Sequence, residues 1–278
     1  MAPSTREGEV IMEYKFWSEF AVLMIGAFIG AAALIPYSMK LISASAKKKP
    51  LKMSPRTLAL LSFVQNAALG GITIGVGLFV AHKISLGAPT IGALVNGHGL
   101  PYSWSQVLFY PVLAGLVIGA LMTMIDLAYL PHWPKSLLEA AKNTSLRENF
   151  LACFYGGLNE EYLTRLFGVS LVAWLLTHIG HHSGNVPSDW VMWTAILIMA
   201  LLFAIGHLPA LKGVGGKVSG VMLSRTFVLN MPIAIACGWF YWKYGIEAAI
   251  IAHFAADLIY HVGGTVVLNS KVSTAGAN

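Results

Sequence analysis

Six ionisable side chains stand in this sequence where apolar ones would cost less. In NEEYLTRLF, Glu160 and Glu161 are adjacent, and Arg165 follows four residues after the second acid. FAIGH ends on His207, and AIIAHFAADLIYH carries His253 and Asp257 four residues apart. The flanking residues are apolar, and a charge at the centre of a bilayer costs about 2.5–3.5 kcal/mol on insertion scales, so such groups face a cavity or one another. Acid, imidazole and water in a low-dielectric chamber are the parts of a hydrolase. A desolvated carboxylate takes a proton from water and passes it to a leaving amine.

Each group also has a plainer use. On a helix, Arg165 lies one turn from Glu161 on the same face, so that pair neutralises itself. Glu160 points about 100° away and finds only Thr164 at the next turn. A lone histidine near a helix end, such as His207, serves packing as readily as ligation. His253 and Asp257 share a face, a spacing that suits two ligands or a carboxylate orienting an imidazole. Arg225 and Asn230, in LSRTFVLNMP, either line the same cavity or hydrogen-bond between helices.

The elements that must position these groups are transmembrane helices. Of 278 residues, 56% are hydrophobic and 11% are charged, where soluble domains carry about 25% charge; mean hydropathy is +0.68. Apolar runs cover 17–42, 57–81, 105–130, 149–178, 190–208, 219–242 and 246–268, each near the roughly 20 residues a spanning helix needs. The expected fold is an all-α polytopic bundle of seven transmembrane helices, or eight if Gly156-Gly157 splits the fourth run. A polar segment, 1–16, precedes N-terminal helices over 17–140, whose last part, PKSLLEAAKNTSLR, reads as an amphipathic connector. The polar-residue helices occupy 141–268, and 269–278 is a polar tail.

The net charge of +6 is spread between apolar runs and forms no basic stripe, which argues against a nucleic-acid partner. Lys47, Lys48, Lys49, Lys52 and Arg56 follow the first run, where they meet anionic lipid, and the 131–148 and 209–218 connectors are the next richest in Lys and Arg. Positive-inside counting then puts the N-terminus outside and the C-terminus in the cytoplasm. Cys153 and Cys237 both lie in apolar runs and read as separate buried thiols, and the polar N-terminus argues against a separate signal peptide. The sequence has no HExxH for helix-borne zinc, no GxSG serine motif and no GxGD aspartyl motif.

In their order EExxxR, FxxxH and HxxxD, residues Glu160–Arg165, Phe203–His207 and His253–Asp257 resemble the CPBP family. These are the CAAX prenyl endopeptidase and bacteriocin-processing membrane proteins, and the likeness to the type II CAAX endopeptidases extends over 145–262. The resemblance implies an intramembrane protease whose cavity opens to the cytoplasm and whose substrate is a membrane-associated peptide or lipidated protein. Glu160 and His207 would activate water, His253 would hold the oxyanion, and Glu161 would be the supporting acid. Asp257 departs from the asparagine of that branch, because an ionised carboxylate cannot donate to an oxyanion. It is neutral, or orients His253, or belongs to a metal centre. A divalent metal such as zinc, held by His207, His253, Glu160 and Asp257, therefore stands beside metal-free catalysis. Two other classes fit the same letters: an ion-coupled transporter or proton relay, and a non-catalytic scaffold of the same fold.

Overall fold

The computed structural model describes residues 5–46, 53–142, 145–179, 186–209, 211 and 219–275, and no strand occurs among them. The lysines at 47–49 and 52, the segment 212–218 with Lys212 and Lys217, and most of the 179–189 turn fall outside those residues. Seven helices are long and apolar enough to cross a membrane: Phe16–Lys40, Pro55–Lys83, Ser105–His132, Leu146–Ile179, Asp189–Gly206, Gly220–Tyr244 and Ile246–Leu268. The all-α polytopic expectation holds, with seven spans and no eighth among the described residues.

The ends differ from expectation in ways the local residues explain. The N-terminal segment is helical from Thr5, as α1 (Thr5–Ala33), since Glu, Met and Lys there are good helix formers. A turn at Leu34, just before Pro36, separates α1 from α2 (Ile35–Ala46). Ser54 caps α3 (Pro55–Lys83), accepting from the Thr57 N–H, and Pro55 stands where no helical N–H is needed. The loop after α3 is not wholly irregular, because Pro89 starts a short helix, α4 (Pro89–Val95). A π turn, Ser105–Phe109, leads into α5 (Tyr110–Tyr129). The amphipathic connector is α6 (Lys135–Lys142). At the other terminus α12 (Gly264–Ala275) carries helix through most of the expected tail.

The fourth span is the architectural centre: half of its apolar window is buried, against 22% to 39% for the others. It begins with α7 (Leu146–Phe154), opened by a capping box in which Ser145 and Glu148 satisfy each other's backbone N–H groups. Gly156-Gly157 does not split it. The helix underwinds instead, through π-helical Tyr155–Glu160 and Tyr162–Val169, before α8 (Ser170–Ile179). π turns are rare and recur at functional sites.

Around this span pack α1, α3, α9 (Asp189–Gly206), α10 (Gly220–Tyr244) and α11 (Ile246–Asp257). The α10–α11 turn is tight because Gly245 takes φ +93°, a left-handed value glycine adopts without strain. α5 packs tightly against α11. A Cβ on Gly115 or Gly119 would run into the backbone carbonyls of Ala252 and Ala256, the small-residue packing that holds helices together in lipid.

Candidate active site

The fourth span carries both acids of the first motif, and the π turns send them different ways. Glu161 is fully buried and faces α11. Its Oε1 accepts from Arg165 Nη1 at 2.7 Å and from His253 Nδ1 at 2.6 Å, which joins the first and third motifs directly. Arg165 is 2% exposed and also donates to Thr164 Oγ1 at 2.5 Å and the Ala234 carbonyl at 3.1 Å. The Glu161–Arg165 pair expected from their spacing is therefore present, and α10 closes over it. Glu161 Oε2 is buried with no hydrogen-bond partner among the described residues.

Glu160 is half-buried and turns toward α3. It lines a water-sized cavity of about 20 Å³ with Asn66, Thr73, Tyr155 and Asn159. Its carboxylate makes no salt bridge among the described residues, and it lies within electrostatic reach of His253 and Tyr155.

His253 is 3% exposed. Because Nδ1 donates to Glu161, Nε2 is the free nitrogen, 3.7 Å from Asp257 Oδ1 and too far for a hydrogen bond. Glu161 and Asp257 thus flank the ring on its two nitrogen sides. Gly156 makes this possible: a Cβ there would collide with Asp257 Oδ2 and come within 3.5 Å of His253 Nε2. His261 lies 3.7 Å from the same Asp257 oxygen.

The second motif reaches the cluster through an aromatic ring. Phe203 packs against His253 at 6.0 Å and against His207 at 4.6 Å, and Arg165 lies over it at 5.2 Å. His207 caps α9, half-buried, and its Nδ1 donates to the Phe203 carbonyl at 2.8 Å, with no hydrogen bond to Nε2 among the described residues. Three helices therefore meet around the Phe203 and His253 rings, with both imidazoles held by Nδ1, while Glu160 faces the separate cavity beside α3.

The two supporting residues serve elsewhere. Arg225 grips Asp126 with two hydrogen bonds, 2.6 and 2.7 Å, and Tyr260 donates to the same acid at 2.8 Å, which ties α5, α10 and the helix after α11 together. Arg225 also stacks over Trp133 at 4.8 Å. Asn230 donates to the Thr226 carbonyl of its own helix at 2.7 Å. Neither enters the Glu161–His253 cluster. Sequence reasoning gave no partner to Asp126, whose Arg225 lies 99 residues away, and no place in the cluster to Cys237. The Cys237 thiol lies with Glu161 and His253 in a group whose ligand atoms are all within 4.8 Å.

The donor set expected for a divalent metal does not assemble: among the described residues His207, His253, Glu160 and Asp257 bring no converging ligand atoms together. Glu161, Cys237 and His253 do converge. There Glu161 Oε1 takes an imidazole N–H at 2.6 Å and a guanidinium N–H at 2.7 Å, while Oε2 has no hydrogen-bond partner among the described residues.

Residues 143–259 match the family described as Type II CAAX prenyl endopeptidase Rce1-like. The matched stretch contains all three motifs and leaves out α1 to α6. No curated protein and no solved structure matches the chain.

Proposed function

We propose, from the match of residues 143–259 to the Type II CAAX prenyl endopeptidase Rce1-like family, that this chain is an intramembrane endopeptidase using carboxylate-activated water. One observation supports it above the rest: the 2.6 Å hydrogen bond from His253 to Glu161, which couples motifs 92 residues apart. In this reading Glu160, the acid without an ion pair among the described residues, takes the proton from water, and His207 Nε2 holds that water. The hydroxide attacks the scissile carbonyl. His253, as an imidazolium balanced by Glu161 and Asp257, donates from Nε2 to the oxyanion. Glu160 then passes its proton to the leaving nitrogen. Asp257 acts as the charge partner of His253, and the asparagine's donor role is absent.

The substrate is a membrane-associated peptide, with a prenylated C-terminus the first choice on family grounds. We place the N-terminus outside and the site's opening toward the cytoplasm, on the distribution of Lys and Arg. The test is purified protein in liposomes, incubated with farnesylated and unprenylated membrane peptides, with products read by mass spectrometry. Cleavage that survives a chelator and falls at least about 100-fold in His253→Ala supports the reading. Cleavage unchanged in that variant, or no cleavage of any peptide, contradicts it.

A further inference from the structure

Glu160 makes no ion pair among the described residues, in contrast to Glu161 beside it, so no opposite charge fixes its carboxylate. Proton transfer needs it fixed, because a base an ångström out of line loses about 100-fold in rate. Its polar surroundings are the walls of the cavity beside α3. Asn66, Gly70 and Thr73 of α3 face Tyr155 and Asn159 of the fourth span across it. The three α3 residues recur at helical spacing on one face and lie outside the family match. On an α-helix Glu160, five residues after Tyr155, would sit about 140° round the axis from it. The π turn Tyr155–Glu160 closes its bonds five residues on and brings the two to the same cavity.

The hydrogen bonds around the cavity leave a definite set of groups over. Tyr155 donates its hydroxyl proton to Asn66 Oδ1 at 3.0 Å, and Asn66 Nδ2 donates to the Ser62 carbonyl at 2.8 Å. Thr73 Oγ1 donates to the Gly70 carbonyl at 3.0 Å. Asn159 Nδ2 donates to the Ala27 carbonyl of α1 at 3.3 Å, and its Oδ1 packs against Gly30 in space a Cβ would fill. Asn159 is thereby pinned to α1, one residue before the acid. The bond from Tyr155 sets which way the Asn66 amide faces. An amide carries two N–H groups, and the second of Asn66 has no acceptor among the described residues. A cavity holds a water when it offers at least about 10–15 Å³ and two to four polar partners. At about 20 Å³, with Asn66, Thr73, Tyr155 and Glu160 around it, this one meets both conditions.

We propose that Asn66 is a positioning residue for Glu160. With Tyr155 orienting its amide, Asn66 holds one water in the cavity, and that water donates to the Glu160 carboxylate. The positioning role rests on the peptidase reading; the water itself does not. α3, from the part of the chain that the family match leaves out, then completes the seat of the acid. The plainer role, an Asn66–Tyr155 staple between two spans, accounts for the bond alone.

An experimental structure of the full chain, at a resolution that shows ordered water, tests the first part. One water within hydrogen-bond distance of both Asn66 Nδ2 and the Glu160 carboxylate is expected. A cavity without it overturns the proposal, whether or not any peptide is cleaved. Kinetics on the farnesylated peptide test the second part. Asn66→Leu lowers kcat about tenfold, the scale of one hydrogen bond, with KM and melting temperature near wild type. Asn66→Ser, which donates again, restores most of the loss. Tyr155→Phe, which frees the amide to turn, lowers kcat by a similar factor and decides the matter if Asn66→Leu does not fold. A lowered melting temperature with wild-type kcat shows a staple only and overturns the positioning role, as does a raised KM with kcat unchanged. A wild type that cleaves no peptide sinks the peptidase reading and the positioning role with it, while the water stands or falls on the structure.

Discussion

Glu160 and Glu161 differ because of their surroundings. Glu161 is fully buried against a guanidinium and an imidazole, whereas Glu160 faces a water-sized cavity and has no ion pair among the described residues. The i,i+4 spacing to Arg165 made that division legible in the sequence. The bond from Glu161 to His253 was not legible, since nothing local ties residues 92 apart. Cys237 was equally hidden, because a buried thiol in an apolar helix looks like any small core residue. Arg165 carries a prediction at this scale. Arg165→Met takes the guanidinium from buried Glu161 and leaves the His253 imidazole as its partner among the described residues, and breaking the buried pair costs about 3–5 kcal/mol. Arg165→Lys recovers little of it, because one ammonium cannot reach Glu161, Thr164 and the Ala234 carbonyl in the same geometry. Thermal unfolding in detergent measures both, and a wild-type melting temperature in Arg165→Met contradicts this account.

At the scale of elements, helix type and approximate extent followed from apolar runs of spanning length, and the observed spans start and stop within a few residues of them. What the runs could not show was how the fourth helix passes Gly156-Gly157. Glycine next to glycine reads as a break, and here it is a thinning of the helix surface that lets Asp257 and Phe254 come close. The π turns that follow set the directions of Glu160 and Glu161. Such underwinding has no single-residue signature, since it depends on what packs against the helix. Gly156→Ala should therefore push Asp257 and His253 apart by the width of a methyl group. We expect kcat to fall about 100-fold, the scale of loss that an ångström of misplacement brings, with a small change in melting temperature. Kinetics on the farnesylated peptide checks this, and an unaltered kcat would show that the approach of Gly156 to Asp257 is incidental.

The whole molecule is a lipid-embedded bundle with a polar interior. Side chains such as Ile25, Phe28, Ile72, Phe79, Val117 and Met124 are exposed, and together they form the belt that hydrocarbon covers. Membrane class and span number were legible because composition alone decides them. The orientation rests on Lys and Arg in connectors, several of which lie outside the described residues. It is open to a direct check. Cys153 and Cys237 are both fully buried, so single cysteines placed at exposed His98 and Lys142 report on the two faces. With the N-terminus outside, a membrane-impermeant maleimide labels His98→Cys in intact cells and reaches Lys142→Cys only after the membrane is opened. The reverse pattern inverts the topology.

The central claim is a division of labour, in which one buried acid holds the architecture and its neighbour moves the proton. Side-by-side assay of Glu160→Gln and Glu161→Gln, reading both peptide cleavage and thermal unfolding, tests it most directly. The account predicts that Glu160→Gln loses at least about 100-fold in cleavage while melting like the wild type, and that Glu161→Gln loses both cleavage and stability. Wild-type cleavage by Glu160→Gln, with the chelator present, would contradict it.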